Sequence, residues 1–188
     1  MSLALKRVSP EDYLRLEKDA NERSEYLDGE IIAMAGSSIE HSRLVTDTTI
    51  FLGTLLRSQE CGVYSTDLRL RIERRAIFYP DISVVCGDES VDADDCLHNP
   101  IVLIEVLSSS TETYDRTKKW ILYQQIPSLR AYVLLSQTQL LIEVFERADD
   151  NSDWIYRSIT ERSQSLPINC LGIALDAAEI YRRVDFSD

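Results

Sequence analysis

Apolar residues along this chain fall into three kinds of pattern. From Asp67 to Glu73 they alternate strictly with polar ones, which predicts a strand with Leu68, Leu70 and Ile72 facing a core and Arg69 and Arg71 facing out. Unbroken aliphatic runs follow Asp81, span Ile101 to Leu107 and span Leu129 to Leu135, a composition that suits strands covered on both faces. A looser recurrence at Leu44, Val45, Ile50, Phe51, Leu52, Leu55 and Leu56 predicts a long helix packed on that sheet, with Gly62 as its C-terminal cap.

Polar punctuation supplies the other boundaries. Ser9-Pro-Glu-Asp12 combines an N-cap serine, a proline at the first helical position and an early acid, and so opens a helix through about Lys18. Asp28-Gly29 between Ser24-Leu27 and Glu30-Met34 predicts a tight β-hairpin, because both turn residues tolerate positive φ. Ser108 to Thr111 offers several N-caps for a helix over 112–125 that Ile126-Pro127 ends. Leu140 to Phe145 and Trp154 to Ile159 read as a second hairpin around a polar turn from Ala148 to Ser152, and Asp176-Ala-Ala-Glu179 as a capping box opening a last short helix through Tyr181. The acidic stretch from Gly87 to Pro100 reads as a solvated loop, although clustered acids also suit weak calcium binding. The order predicts an α/β protein, a sheet with helices on its faces and a strand pair at one edge, in one domain over 1–188.

Composition changes this picture in three places. At 188 residues and 44% apolar content the chain can bury one substantial core. No apolar run reaches the ~18 residues of a membrane span and the N-terminus is too short in its apolar part for a signal peptide, so the expectation is a soluble, cytoplasmic protein without membrane partners. Cysteines at 61, 86, 96 and 170 form no C-x-x-C pair and read as reduced thiols; Cys86, Cys96 and His98 lack the second ligand pair that a zinc site needs. The formal net charge of -12 opposes broad electrostatic capture of nucleic acid. Any phosphate contact must be local, at Arg69, Arg71, Arg74 and Arg75 or at Arg116, Lys118 and Lys119, unless these are only solvated faces.

Two acids stand out against their surroundings. Asp81, behind Pro80, and Glu105, within six aliphatic residues, occupy segments where a carboxylate is costly unless something positive meets it. On neighbouring strands they would offer hard oxygens to a divalent ion such as Mg2+ or Mn2+, and a following lysine could stabilise charge on a phosphoryl group. The competing account is structural: Glu105 neutralised by an internal arginine or lysine, Asp81 capping a nearby amide. Lys119 shares a helix face with Asp115 and Tyr123, four residues to either side, and acid four residues before lysine is also an ordinary surface pair. Lys118 lies about 100° away, so at most one of the two lysines points at the acids. Glu25 or Glu30 of the hairpin can approach the same place, and His41 near a helix start reads as a capping or packing residue.

At these positions the chain resembles the Uma family of restriction endonucleases, within the PD-(D/E)xK nuclease superfamily. The resemblance covers nearly the whole chain. It rests on Glu25-Tyr-Leu-Asp-Gly-Glu30, His41, Tyr79-Pro-Asp-Ile-Ser-Val-Val85, Glu105-Val-Leu-Ser108 with Ser110-Thr111, Asp115-Arg116, Lys119 with Tyr123, and Glu179-Ile-Tyr181. It implies a restriction-endonuclease-like core, a mixed β-sheet flanked by helices, and a metal-dependent endonuclease hydrolysing DNA phosphodiester bonds. Asp81 and Glu105 would be the metal-binding acids, and Glu25 matches a position that could complete the site. The superfamily's lysine two residues after the second acid is absent, because position 107 is leucine; the resemblance places its counterpart at Lys119. A homodimer is implied by the superfamily's habit alone. The alternative function is a catalytically silent nuclease-fold binding module, which the acidic charge and displaced lysine favour.

Overall fold

The structure is a computed structural model and describes residues 7–148 and 153–186. The N-terminal reading at 1–6 and the turn residues 149–152 lie outside the described residues. Helix α1 (Pro10–Lys18) starts as its sequence dictates, with Ser9 Oγ accepting from the Asp12 amide at 3.1 Å and proline in the first turn. It buries Tyr13 and Leu14, and its Glu17 takes both the amide and the hydroxyl of Ser24, at 3.0 and 2.6 Å. That anchors the start of the first hairpin, β1 (Ser24–Leu27) and β2 (Glu30–Ala33). Asp28 and Gly29 both have positive φ, 45° and 97°, the primed-turn geometry that pairs Leu27 with Glu30 and Glu25 with Ile32.

Two mixed sheets carry the fold. The larger runs β11-β10-β9-β8-β6-β3, built from β3 (Cys61–Ser65), β6 (Ile82–Cys86), β8 (Val102–Leu107), β9 (Ala131–Ser136), β10 (Ile142–Arg147) and β11 (Trp154–Ile159). The other runs β2-β1-β5-β4-β7, adding β4 (Arg69–Ile72), β5 (Ala76–Phe78) and β7 (Cys96–Leu97). Strands β6 and β8 are antiparallel with Ile82 opposite Ile104, whereas β8 and β9 are parallel and need the helical crossover between them. Helix α2 (Ile39–Leu55) covers one face of the larger sheet: its Leu44 and Leu52 meet Val84, Ile104, Val106 and Val133. Leu103, Leu107, Tyr132 and Leu134 point to the other face, against the crossover and the smaller sheet. Because successive β8 side chains alternate between two buried faces, its sequence reads as one apolar run, and Glu105 is committed to the crossover side.

The crossover, α3, is one helix in three parts: an α-turn at Glu112–Tyr114, a π-helical segment at Asp115–Lys119, and an α-turn at Trp120–Tyr123. Trp120 fixes it to the sheet, stacked on Tyr132 at 5.4 Å and packed on Phe145 and Trp154 at 4.7 and 4.8 Å. At the C-terminal end, a ribbon of β12 (Ser165–Ile168) and β13 (Ile173–Asp176) leads into α4 (Ala177–Ile180), whose first amides Asp176 caps. The buried Tyr181 donates to the carbonyls of Ser136 and Leu141, and Arg183 reaches the buried Asp47 of α2 at 2.9 Å.

Several expectations need correction. The long helix ends at a Leu56 cap; Gly62 instead lies in β3, where a Cβ would meet the Tyr64 ring at 2.5–2.8 Å and force it to shift. β3, β5, β7, β12 and β13 were not legible, being short and lacking clean alternation. Cys61 and Cys86 are joined in a disulfide, because the pairing of β3 with β6 sets them directly opposite each other; the reading of all four cysteines as thiols therefore holds only for Cys96 and Cys170, and a zinc site that includes Cys86 is ruled out. The stretch 87–100 is not simply solvated either: Asp92 accepts from the amides of Asp94 and Cys96 and pairs with His98 and Arg71, which ties the loop to β4. No described helix is long and apolar enough to cross a membrane.

The hairpin turn gives a direct test. An alanine at position 29 would have to adopt φ near +97° and would meet the Arg7 side chain at 2.7 Å. Gly29→Ala should cost at least about 1 kcal/mol, read as a fall in Tm of about 2–4 °C per kcal/mol in thermal melts.

Candidate functional site

A cleft of about 600 Å3 opens between the start of α2, the N-terminal hairpin and the junction of β8 with α3. Its floor gathers the predicted residues. Asp81 stands one residue before β6, just past the end of the β6–β8 ladder, whose last pair is Ile82 opposite Ile104. The Asp81 carboxylate takes over: Oδ2 accepts from the Val106 amide at 2.7 Å and lies 3.3 Å from His41 Nε2. His41 does double duty as expected of a first-turn residue, its own amide donating to the Ser38 cap at 3.0 Å while its ring faces the acid.

Glu105 and Lys119 meet on the buried side of β8. The Lys119 ammonium lies 3.1 Å from Glu105 Oε1, 3.0 Å from Glu25 Oε1 and 3.4 Å from Asp115 Oδ1. All four side chains are buried. Tyr123 OH donates to the same Glu105 oxygen at 2.7 Å, and the Tyr79 amide donates to Glu25 at 3.1 Å. The π-helical turn makes this possible by turning both Asp115 and Lys119 inward, and Tyr132 OH holds the Asp115 carbonyl there at 3.2 Å. The Asp115–Lys119 pair is therefore an interior one, which corrects the surface-pair reading; Lys118 faces solvent. Asp115 Oδ1 makes no hydrogen bond, and neither does the hydroxyl of Tyr114 beside it. Glu30 across the hairpin turn is exposed and takes no part.

Electrostatics follow from three carboxylates around one ammonium. Burial raises the Glu105 pKa well above the usual carboxylate range; Lys119 opposes the shift, and Asp115, Asp81 and Glu25 add to it. Burial likewise raises Glu25 and Asp115 against the pull of Lys119. Burial alone would depress the Lys119 ammonium, but the charges of Glu105, Glu25 and Asp115 outweigh it and hold the group well above its ordinary value. For His41, burial is outweighed by the hydrogen bond and charge of Asp81, and the net shift is upward.

The donor set suits a hard cation as far as two carboxylates go. Asp81 Oδ1 and Glu105 Oε2 accept no hydrogen bond from the described residues, and the buried Asp115 Oδ1 has the Lys119 ammonium at 3.4 Å but no hydrogen bond. Among the described residues no three acids, histidines or cysteines converge into a closed metal cage. A Mg2+ ion does not need one, since it keeps several waters and takes one or two carboxylates plus substrate oxygens. Asp115 was the residue least visible in sequence, because i, i+4 spacing to a lysine is common on surfaces; the signal that could have found it is Tyr123 on the same stripe, which extends the face into an apolar neighbourhood.

A raised carboxylate pKa means that the folded state binds protons more tightly than the unfolded chain. Its contribution to stability is complete below about pH 4.5 and is lost as pH rises through the folded value. Glu105→Gln should thus melt higher than wild type at pH 7.5, by about 2–4 °C for each kcal/mol relieved, with the gap closing towards pH 4.5. Thermal melts across that range in chelator check it, and a variant melting lower at pH 7.5 would show that the charged cage is net stabilising.

Comparisons with known proteins give the family and the fold. A family model described as "Uma2: Putative restriction endonuclease" matches residues 10–178. The Synechocystis protein slr1290, described as uncharacterized, is 33% identical over 181 residues, covering 96% of this chain and 94% of its own. A second Synechocystis protein, sll1609, also described as uncharacterized, is 29% identical over 171 residues, covering 89% and 96%. In fold, a crystal structure from Anabaena variabilis described as a putative nuclease belonging to DUF820 superposes with a TM-score of 0.76 at 16% identity, over 93% of this chain and 98% of that one. The match in sequence runs from the first helix into the last and encloses every residue that lines the cleft, so the chain belongs to the Uma2 family.

Proposed function

We propose that the protein is a Mg2+- or Mn2+-dependent endonuclease that hydrolyses DNA phosphodiester bonds. The observation that carries this reading is the pairing of Asp81 and Glu105 at the cleft floor, each with one oxygen engaged by the protein and one left open, beside a buried lysine. Bound to those open oxygens, a divalent cation would supply Lewis-acid neutralisation of the phosphoryl group and a water more easily deprotonated at neutral pH. The chain's own residues do the positioning. The Val106 amide and His41 fix the rotamer of Asp81, and Tyr123 and Lys119 fix that of Glu105. Lys119, held by Glu25 and Asp115, keeps a positive charge next to the place where charge grows in the transition state. Glu25 is thereby a positioning residue for the lysine.

A second reading, a nuclease-fold binding module without chemistry, draws on the same cage: the Lys119 ammonium already faces three carboxylates, which leaves it a weak partner for phosphate. Cleavage of labelled single- and double-stranded DNA with Mg2+ or Mn2+ separates the two. Wild type should cut and Asp81→Asn, purified in parallel, should lose at least ~100-fold, a loss of the size that follows removal of one strong electrostatic stabiliser. Mn2+ should also raise the wild-type Tm and leave that of Asp81→Asn unmoved. Cutting retained by the variant would remove Asp81 from the site, and no cutting by either protein would favour the binding module.

A further inference from the structure

The cleft is poor in the groups that hold duplex DNA. Proteins that track a duplex neutralise about 6–10 phosphates with lysine and arginine. Among the described residues lining this cleft there is no arginine, and the single lysine, Lys119, is ion-paired to three acids. The arginines that the sequence offered for phosphate contact are engaged elsewhere: Arg69 donates to the Asp94 carbonyl, Arg71 pairs with Asp92 and Glu11, Arg74 with Glu11, and Arg75 with Asp28. Arg116 is held by Glu112 and Glu143. Lys118 alone of these candidates faces solvent without an ion pair among the described residues, and the net charge of -12 acts as a repulsive mean field on a long polyanion.

Apart from Glu25, Asp81, Glu105, Asp115, Lys119 and His41, the lining of the cleft is uncharged. Ser37, Ser38, Ser108, Ser109 and Ser110 all line it, with the Ser38 hydroxyl bonded to Gln137 and the His41 amide and that of Ser108 to Ser110 and Thr111. Tyr114 lines one wall; its ring packs edge-on to Phe78 at 6.2 Å, and its buried hydroxyl has no hydrogen-bond partner. A volume of about 600 Å3 falls in the range of small-ligand pockets, about 300–1,000 Å3, enough for a nucleotide or two and not for a duplex. An aromatic wall and uncharged hydrogen-bonding groups are what an unpaired base and its sugar require, because every base has a face that stacks.

We propose that the cleft takes a short unpaired stretch of nucleic acid, a single strand, flap or frayed end, held through the divalent cation, the hydroxyl rim and Tyr114, and not a long duplex. This rests on the nuclease reading above and narrows its substrate. The test is fluorescence anisotropy of the full chain with a labelled 12-nucleotide strand, DNA and RNA in separate arms, and with a 24-base-pair duplex, in Ca2+ to hold the strand uncut. At least one strand should bind ten-fold or more tighter than the duplex and be released by chelator. Its affinity should fall less than ten-fold between 50 and 200 mM salt, where a duplex-tracking protein loses about 10³–10⁵. Tyr114→Ala should weaken it about ten-fold while Tyr114→Phe stays within two-fold. Equal or tighter duplex binding, a steep salt dependence, or no strand binding in Ca2+ or Mn2+ would each overturn the inference. If the duplex is cut and Asp81→Asn abolishes the cutting, the inference fails and the nuclease stands; if strand binding is indifferent to chelator and to Asp81→Asn, the cation-held site fails with it.

Discussion

The ammonium of Lys119 inside three buried carboxylates is the interaction on which the rest of this structure depends. Glu25 comes from the N-terminal hairpin, Glu105 from the central strand of the larger sheet, and Asp115 from the crossover helix. One cation therefore ties together the smaller sheet, the larger sheet and the helix between them. Without it three acids would lie in an apolar interior, each at a desolvation cost that burial of aliphatic side chains alone does not offset. With it the helix must turn its lysine inward, and the π-helical segment is the local distortion that accommodates this.

The cage also sets the character of the cleft. Tyr123 and Lys119 engage one oxygen of Glu105 and leave the other without a hydrogen bond, while the Val106 amide and His41 treat Asp81 in the same way. Each acid is thus held by one oxygen and presented by the other. That arrangement fixes the geometry of both carboxylates while taking them largely out of water.

Much of this was legible in the chain because burial leaves a mark on composition. The apolar run at 101–107 is continuous since both faces of β8 are covered, and the lone Glu105 within it points at something unusual for the same reason. The hairpin at Asp28-Gly29 and the caps at Ser9 and Asp176 are local chemistry and were readable locally. The short strands β3, β5, β7, β12 and β13 are defined by their partners, and pairing between distant segments leaves little periodicity in two to five residues. The Cys61–Cys86 link was hidden in the same way, because it depends on register across β3 and β6. Asp115 was misjudged since helical spacing tells which residues share a face and not whether that face is wet.

The parallel pairing of β8 with β9 has a consequence for how such a site can be assembled in time. Glu105 and Lys119 are 14 residues apart and belong to one strand–helix–strand crossover, so their contact closes a short loop. Glu25 joins from the far end of the chain, and for a flexible chain closing residues 25 to 119 instead of 105 to 119 costs about 1.7 kcal/mol more in loop entropy. The crossover can thus nucleate with its lysine and strand acid already matched, and the hairpin seals the cage by docking onto a half-formed centre.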